Sequence, residues 1–423
     1  MTLTHRERVW RTLAHEEPDR VPWDLWTAPE VMTRLREHLD VDDDEAVRKH
    51  FNIDLRTIRG PSYAGQEMRT FPGDVVEDLW GVKRKVVTVE QGGCRWSYKH
   101  VVQHPLADAQ TVADIESYPG WPDPDAWDFS GVAEECRQYA DYAVVNRGDR
   151  LDRTAQLKPA MYLRGVEQIL MDLAMNEAIA EAIFQRIYEY FMSYNRRVFE
   201  AAAVAPSPLG GEGRGEGYAV AGEGTGGQAA SDTSPPSPLK GEGRGEGEVV
   251  RSPDRHRDGE GRTNAIDVFM MGDDFGAQNG PIVSPDMWRR FFRKRFRDFI
   301  DLAHTFGILV MHHTCGSVRA LIPEFIDCGL DILQSLQPQA AGMDLAELKR
   351  EFGRDVCFHG SVDIQGALPH GSPEDVRREV KTRMEAGKPG GGFIISTAHN
   401  ILPDTPTENI LALLEAYRAY GSY

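Results

Sequence analysis

The sequence predicts an α/β protein closed into a (β/α)8 TIM barrel, and three observations carry that expectation. From about Ile266 onward, short apolar runs alternate with helices that have clear start and stop signals. The runs are apolar throughout, as strands of a parallel sheet are when both faces are covered. The same beat occurs earlier, at Leu55-Arg-Thr-Ile and Tyr142-Ala-Val-Val. Five strand and helix units in roughly 150 residues imply a parallel sheet, and eight such units close a barrel.

The strands are expected at Asp267-Val-Phe-Met-Met-Gly, Ile308-Leu-Val-Met-His, Asp331-Ile-Leu-Gln, Val356-Cys-Phe-His and Gly392-Phe-Ile-Ile-Ser. Helices start after Ser284-Pro285, Ser372-Pro373 and Thr405-Pro406, where a side-chain oxygen caps the first turn and proline's missing N–H costs nothing. Gly307, Gly329, Gly353 and Gly387 stand where a helix-ending residue takes a left-handed conformation.

One segment does not share this pattern. Residues 205–263 hold 15 of the chain's 41 glycines, and a twelve-residue Gly/Glu/Arg unit starting at Pro206 recurs at Pro236 with one difference, position 210 against 240. So little apolar surface cannot offset backbone entropy, so 205–263 is expected to be a disordered low-complexity insert. It separates 1–204, an N-terminal extension with the first part of the barrel, from 264–423, the second part of the same barrel.

The formal net charge of -18 has the wrong sign for a nucleic-acid partner. No run approaches the ~18 apolar residues of a membrane span, and the opening residues have no signal-peptide core, so the cytoplasm is expected. Five scattered cysteines argue for reduced thiols. Cys328 and Cys357 fall in apolar patterns and read as core.

In such a barrel the chemistry lies just past the C-terminal strand ends. Those ends carry Asp273-Asp274, His312-His313-Thr-Cys315, Gln334 with Gln337, His359, and His399. Residues i and i+2 of an extended strand point to one side, so His313 and Cys315 face together while His312 faces away. A thiolate and an imidazole suit zinc, and His399 is the natural third ligand, leaving an open catalytic position. Asp274 and His399 are the expected catalytic groups, and Asp273, Gln278, His312, Gln337 and His359 the expected substrate contacts.

Several stretches together resemble the uroporphyrinogen decarboxylase superfamily. They are Arg8-Val, Leu13-Ala-His-Glu-Glu-Pro-Asp-Arg-Val-Pro22, Gly272-Asp-Asp-Phe-Gly-Ala-Gln278, His313-Thr-Cys-Gly316, Gly329-Leu-Asp-Ile-Leu, Gly391-Gly-Phe-Ile-Ile, and His399-Asn-Ile with Pro403-Asp-Thr-Pro-Thr-Glu-Asn409. The resemblance implies the same barrel and two activities: cofactor-free porphyrinogen decarboxylation, or zinc-dependent methyl transfer from a methylated corrinoid to a thiol. The decarboxylases carry an Arg-Gln-Ala-Gly-Arg motif where this chain reads Pro22-Trp-Asp-Leu-Trp-Thr-Ala-Pro29, and a Phe-Ser-Asp segment where it reads Ile58-Arg-Gly-Pro61. The methyltransferase branch shares His313-x-Cys315 but typically has cysteine where this chain has His399, and imidazole there makes the metal more electrophilic and its bound thiol less nucleophilic.

The expectation is therefore a zinc-dependent methyltransferase using a methylcorrinoid or similar donor, with a carboxy-lyase of decarboxylase type as the alternative. A corrinoid-binding barrel without turnover is the third. The implied partners are a small thiol or acid and a corrinoid protein, and a homodimer is compatible with the pattern.

Overall fold

The structure, a computed structural model, describes residues 3–91, 94–148, 153–203 and 264–423. The expected insert, 205–263, lies outside the described residues. Seven strands form one parallel sheet in strict chain order: Leu55–Ile58, Ala143–Asn146, Val268–Gly272, Leu309–His313, Ile332–Gln334, Cys357–Val362 and Phe393–Thr397.

The eighth position is filled by three residues that no apolar run announced. The Ile395 N–H donates to Pro22 O and Asp24 N–H donates to Ile395 O, both at 3.0 Å, while the Asp54 N–H donates to Trp23 O at 3.1 Å. Pro22–Asp24 thus joins the last strand to the first and closes the sheet on itself. Closure leaves no unpaired edge and aims alternate side chains inward. Leu55, Val145, Met270, Met311, Ile332, Cys357 and Ile394 fill the interior, with Trp26 packed among them. The remaining apolar side chains face the helical layer, Cys328 among them.

Helix His5–Leu13 covers the end of the barrel opposite the strand C-termini. Thr4 and Glu7 form a reciprocal capping box at its start, and Val9 and Leu13 enter the interior cluster. Arg8, Arg20, His5 and the Trp23 N–H all bond to the fully buried Asp54 carboxylate, at 2.7–2.9 Å for their shortest contacts. Arg6 and the Trp10 indole reach Asp267 on the next strand but one.

Ser284 and Ser372 cap their helices as expected, whereas Thr405 does not: the last helix, Thr407–Tyr420, starts at Pro406 without a side-chain cap. Gly307 and Gly329 take the left-handed conformation, at φ 69° and 94°. Gly353 and Gly387 do not. Gly387 is the last helical residue before Phe393 returns against it, and a Cβ there would meet the Phe393 ring at 2.5 Å.

Between the first two barrel strands the chain makes an antiparallel four-stranded sheet, Thr70–Phe71, Val75–Glu77, Lys83–Gln91 and Cys94–Gln103, which the sequence reading did not anticipate. Where the described chain breaks at 203 and resumes at 264, Ala203 and Asn264 pair in an antiparallel bridge, and the Ala265 N–H donates to Ala202 O at 3.0 Å. Among the described residues no helix is long and apolar enough to cross a membrane.

Candidate metal centre at the barrel mouth

His313 ends its strand with Gly272 as its register partner on one side and Gln334 on the other. A Cβ on Gly272 would sit 3.1 Å from the His313 Cβ, so the glycine makes room for the imidazole. Beyond His313 the chain turns sharply through Thr314, Cys315 and Gly316. Its backbone is held from two neighbouring loops: the Cys315 N–H donates to Asp274 Oδ1 and the Gly316 N–H to Gln337 Oε1, each at 3.2 Å. Gly276 and Gly316 are in direct backbone contact, and a Cβ on either would come within 2.6 Å of the other loop. Only glycine allows that approach.

Three side chains converge there. One ligand atom each of His313, Cys315 and His399 lies within 4.8 Å of the others. The His313 Nδ1–H donates to Gln334 Oε1, a buried bond that fixes the tautomer and leaves Nε2 with a free lone pair. That Nε2 lies 3.5 Å from Cys315 Sγ. A tetrahedral zinc, with Zn–N about 2.0 Å and Zn–S about 2.3 Å, sets this edge at about 3.5 Å. The three donors therefore fit zinc in chemistry, and the His313–Cys315 edge fits it in spacing.

The electrostatics agree. Burial pushes the His313 imidazole down to about 3 and lowers His399 too, so both are held in the neutral form that binds metal. Burial, then the nearby Asp274 carboxylate, pushes the Cys315 thiol up to about 12. Without a cation it stays protonated, and a bound metal is what would make it thiolate.

The other expected site residues divide. Asp274 is at the cluster: Oδ1 lies 3.6 Å from His313 Nε2 and Oδ2 is ion-paired with Lys158. Burial works against its charge, but Lys158 and then His313 outweigh it and hold the carboxyl well below its usual range. Asp273 requires a correction. Its oxygens accept the N–H groups of Gln156, Leu157 and Lys158 at 2.5–2.9 Å, so it caps helix Leu157–Arg164 and has no free face for substrate. Burial raises its carboxyl to about 6 against those three donors.

His312 also requires correction. It faces outward, as strand alternation demands, into a cage of Phe275, Phe296 and Phe325 with ring centroids 4.9–6.0 Å away. Gln278 is exposed on the Gly276–Pro281 turn, and its carbonyl accepts from the Ala341 N–H. Gln337 holds the Gly316 backbone, which makes it part of the turn's framework. His359 lies in the barrel interior, fully buried, with Nε2 bonded to Asp24 Oδ2 at 3.1 Å.

Sequence reasoning named Gln334 at a strand end but gave it no role, and it passed over Lys158, which no strand-end pattern marks. Lys158 and Arg153 add positive charge around His313 and His399.

Fold and site together define a (β/α)8 barrel with a candidate three-ligand metal centre at its C-terminal mouth. Residues 264–420 match the family model for uroporphyrinogen decarboxylase (URO-D). The methylcobamide:CoM methyltransferase MtaA of Methanosarcina barkeri is 29% identical over 154 residues, 36% of this chain and 42% of that protein. The uroporphyrinogen decarboxylase of Serratia proteamaculans is 35% identical over 81 residues, 19% of this chain and 22% of that protein. The chain thus matches less than half the length of these curated relatives. A methyltransferase structure from Methanosarcina mazei superposes with a TM-score of 0.57 at 17% identity, covering 99% of both chains, a likeness of fold.

Proposed function

We propose that the chain is a zinc-dependent methyltransferase, moving a methyl group from a methylated corrinoid to a small thiol. The observation that carries this is the convergence of His313, Cys315 and His399 with the His313 Nε2 lone pair pinned toward Cys315 Sγ. Similarity to a methylcobamide:CoM methyltransferase over 154 residues supports it. Zinc, when bound, lowers the pKa of an acceptor thiol and so presents it as thiolate at neutral pH.

The chain's own residues do the rest. His313, Cys315 and His399 would hold the metal and leave room for an acceptor beside them. Asp274, kept ionised by Lys158, orients what enters there. Gln334 fixes His313, while Gln337 and Asp274 hold the turn on which Cys315 sits. A corrinoid protein is the partner that would bring the donor to the open mouth. Free Cys315 and a thiol acceptor suit the reducing cytoplasm.

The Lys158 and Arg153 cations favour a second reading, decarboxylation of a carboxylic acid held by them. The two readings are separated by one experiment. Zinc-loaded protein is incubated with methylcobalamin and a panel of small thiols, and separately with uroporphyrinogen. Accelerated thiol methylation that chelators abolish is expected; chelator-indifferent release of carbon dioxide from uroporphyrinogen would replace methyl transfer by decarboxylation.

A further inference from the structure

The segment that closes the barrel also reaches the metal centre. The Trp26 ring stacks on His313, with centroids 6.1 Å apart and planes 27° from parallel, and it meets the His359 ring at 5.7 Å. Its indole N–H donates to Asp24 Oδ2 at 2.6 Å; the His359 Nε2–H donates to the same oxygen, and the Leu25 N–H to Oδ1 at 2.8 Å. Burial disfavours the Asp24 charge, yet His359 and the Leu25 and Trp26 donors hold its carboxyl below the usual range.

The same segment grips the other arm of the centre through its backbone. The Ile401 N–H donates to Trp26 O at 2.8 Å and the Ala28 N–H to Ile401 O at 2.9 Å. Ile401 stands two residues beyond His399. One short stretch therefore touches His313 with a ring and steadies the His399 loop with main-chain bonds, although the two ligands come from strands that are not neighbours in the sheet.

We infer that Trp26 is a positioning residue of the metal centre, clamped by Asp24 and His359, which sets the separation and tilt of His313 relative to His399. The bond from His313 Nδ1–H to Gln334 holds the imidazole at one atom and leaves the ring free to tilt about it. The Trp26 face removes that freedom, and the shared Asp24 oxygen prevents the indole from turning in its own plane. Outer residues of this kind commonly govern metal affinity by about 10–100-fold. The inference rests on the zinc reading above.

The test uses full-length protein, a zinc competition titration and the visible bands of the cobalt(II)-substituted chain, which report ligand geometry directly. Trp26→Phe keeps an aromatic ring but loses the indole N–H, and Asp24→Asn weakens the clamp without touching the ring. Each is expected to weaken zinc binding about tenfold and to shift the cobalt bands. A lower melting temperature of the metal-free variants with cobalt bands and zinc affinity as in wild type is what a purely structural tryptophan would give, and it overturns the inference. If Trp26→Phe does not fold, Asp24→Asn decides by the same criteria. Wild-type chain that takes up neither zinc nor cobalt overturns the metal reading itself, a failure distinct from that of Trp26.

Discussion

The Oε1 of Gln334 accepts the Nδ1–H of His313 within the buried wall of the barrel, and this one bond decides which imidazole nitrogen faces Cys315. Gln334→Ala should therefore bind zinc about 10–100-fold more weakly, because the ring can turn and change tautomer. Gln334→Glu, which keeps an acceptor, should retain most of the affinity. Competition with a chromophoric chelator measures both; equal affinity for the Ala variant and wild type would refute the role.

Cys315→Ala should lose zinc while keeping the barrel. The turn is held by backbone bonds to Asp274 and Gln337 that do not involve the sulfur, and a catalytic metal sits on a scaffold that is already folded. Metal analysis and a thermal melt check this, and full zinc occupancy in the variant would remove Cys315 from the ligand set.

The opposite end of the barrel governs acid stability. Burial opposes the Asp54 charge, but His5, Arg20 and Arg8 hold the carboxyl below its ordinary value of 3.8. A carboxyl with a depressed folded pKa contributes stability that is fully present above its unfolded value and is lost as pH falls through the folded one. The melting temperature should thus hold down to about pH 4 and drop below it. Asp54→Asn should cost ~3 kcal/mol near neutrality, since it leaves the buried Arg8 and the part-buried Arg20 guanidinium groups facing a neutral amide, with Arg8 still paired to Asp19. It should also flatten the acid limb of the melting profile, which a pH series of melts would show.

Excising residues 206–261 and joining the ends should leave melting temperature and zinc content unchanged. The flanks already meet in the Ala203 to Asn264 bridge, at the start of the Val268–Gly272 strand, whereas the candidate ligands lie past strand C-termini. Lengthening or shortening a surface loop changes its closure entropy only logarithmically. Loss of zinc from a folded deletion protein would contradict this.

The barrel was legible where a strand is buried on both faces, because such strands read as unbroken apolar runs. Pro22–Asp24 was not. It is three residues long and holds a proline and a carboxylate, and its membership in the sheet is visible only through bonds to Asp54 and Ile395. The antiparallel excursion at 70–103 was missed because its strands are partly exposed and rich in lysine, so no apolar run marks them. At the site, strand parity put His313 with Cys315 and turned His312 away, but that same parity was not followed when His312 was counted as a substrate contact. Asp273 and Asp274 are identical in type and adjacent. Only the helix start that claims Asp273 tells them apart. Gln334 and Gln337 are likewise indistinguishable in sequence, and register against His313 separates them.

The closing residues at 22–24 are made long before one of their two strand partners, around Ile395. Domains form as units while the chain is being made, but this ring cannot shut until the Phe393–Thr397 strand exists. Until then Trp23 and Trp26 have no finished barrel to enter. The protein therefore carries a pair of large apolar side chains that a growing chain must shelter by other means, and closing the ring brings stretches far apart in the sequence together beside the candidate metal ligands.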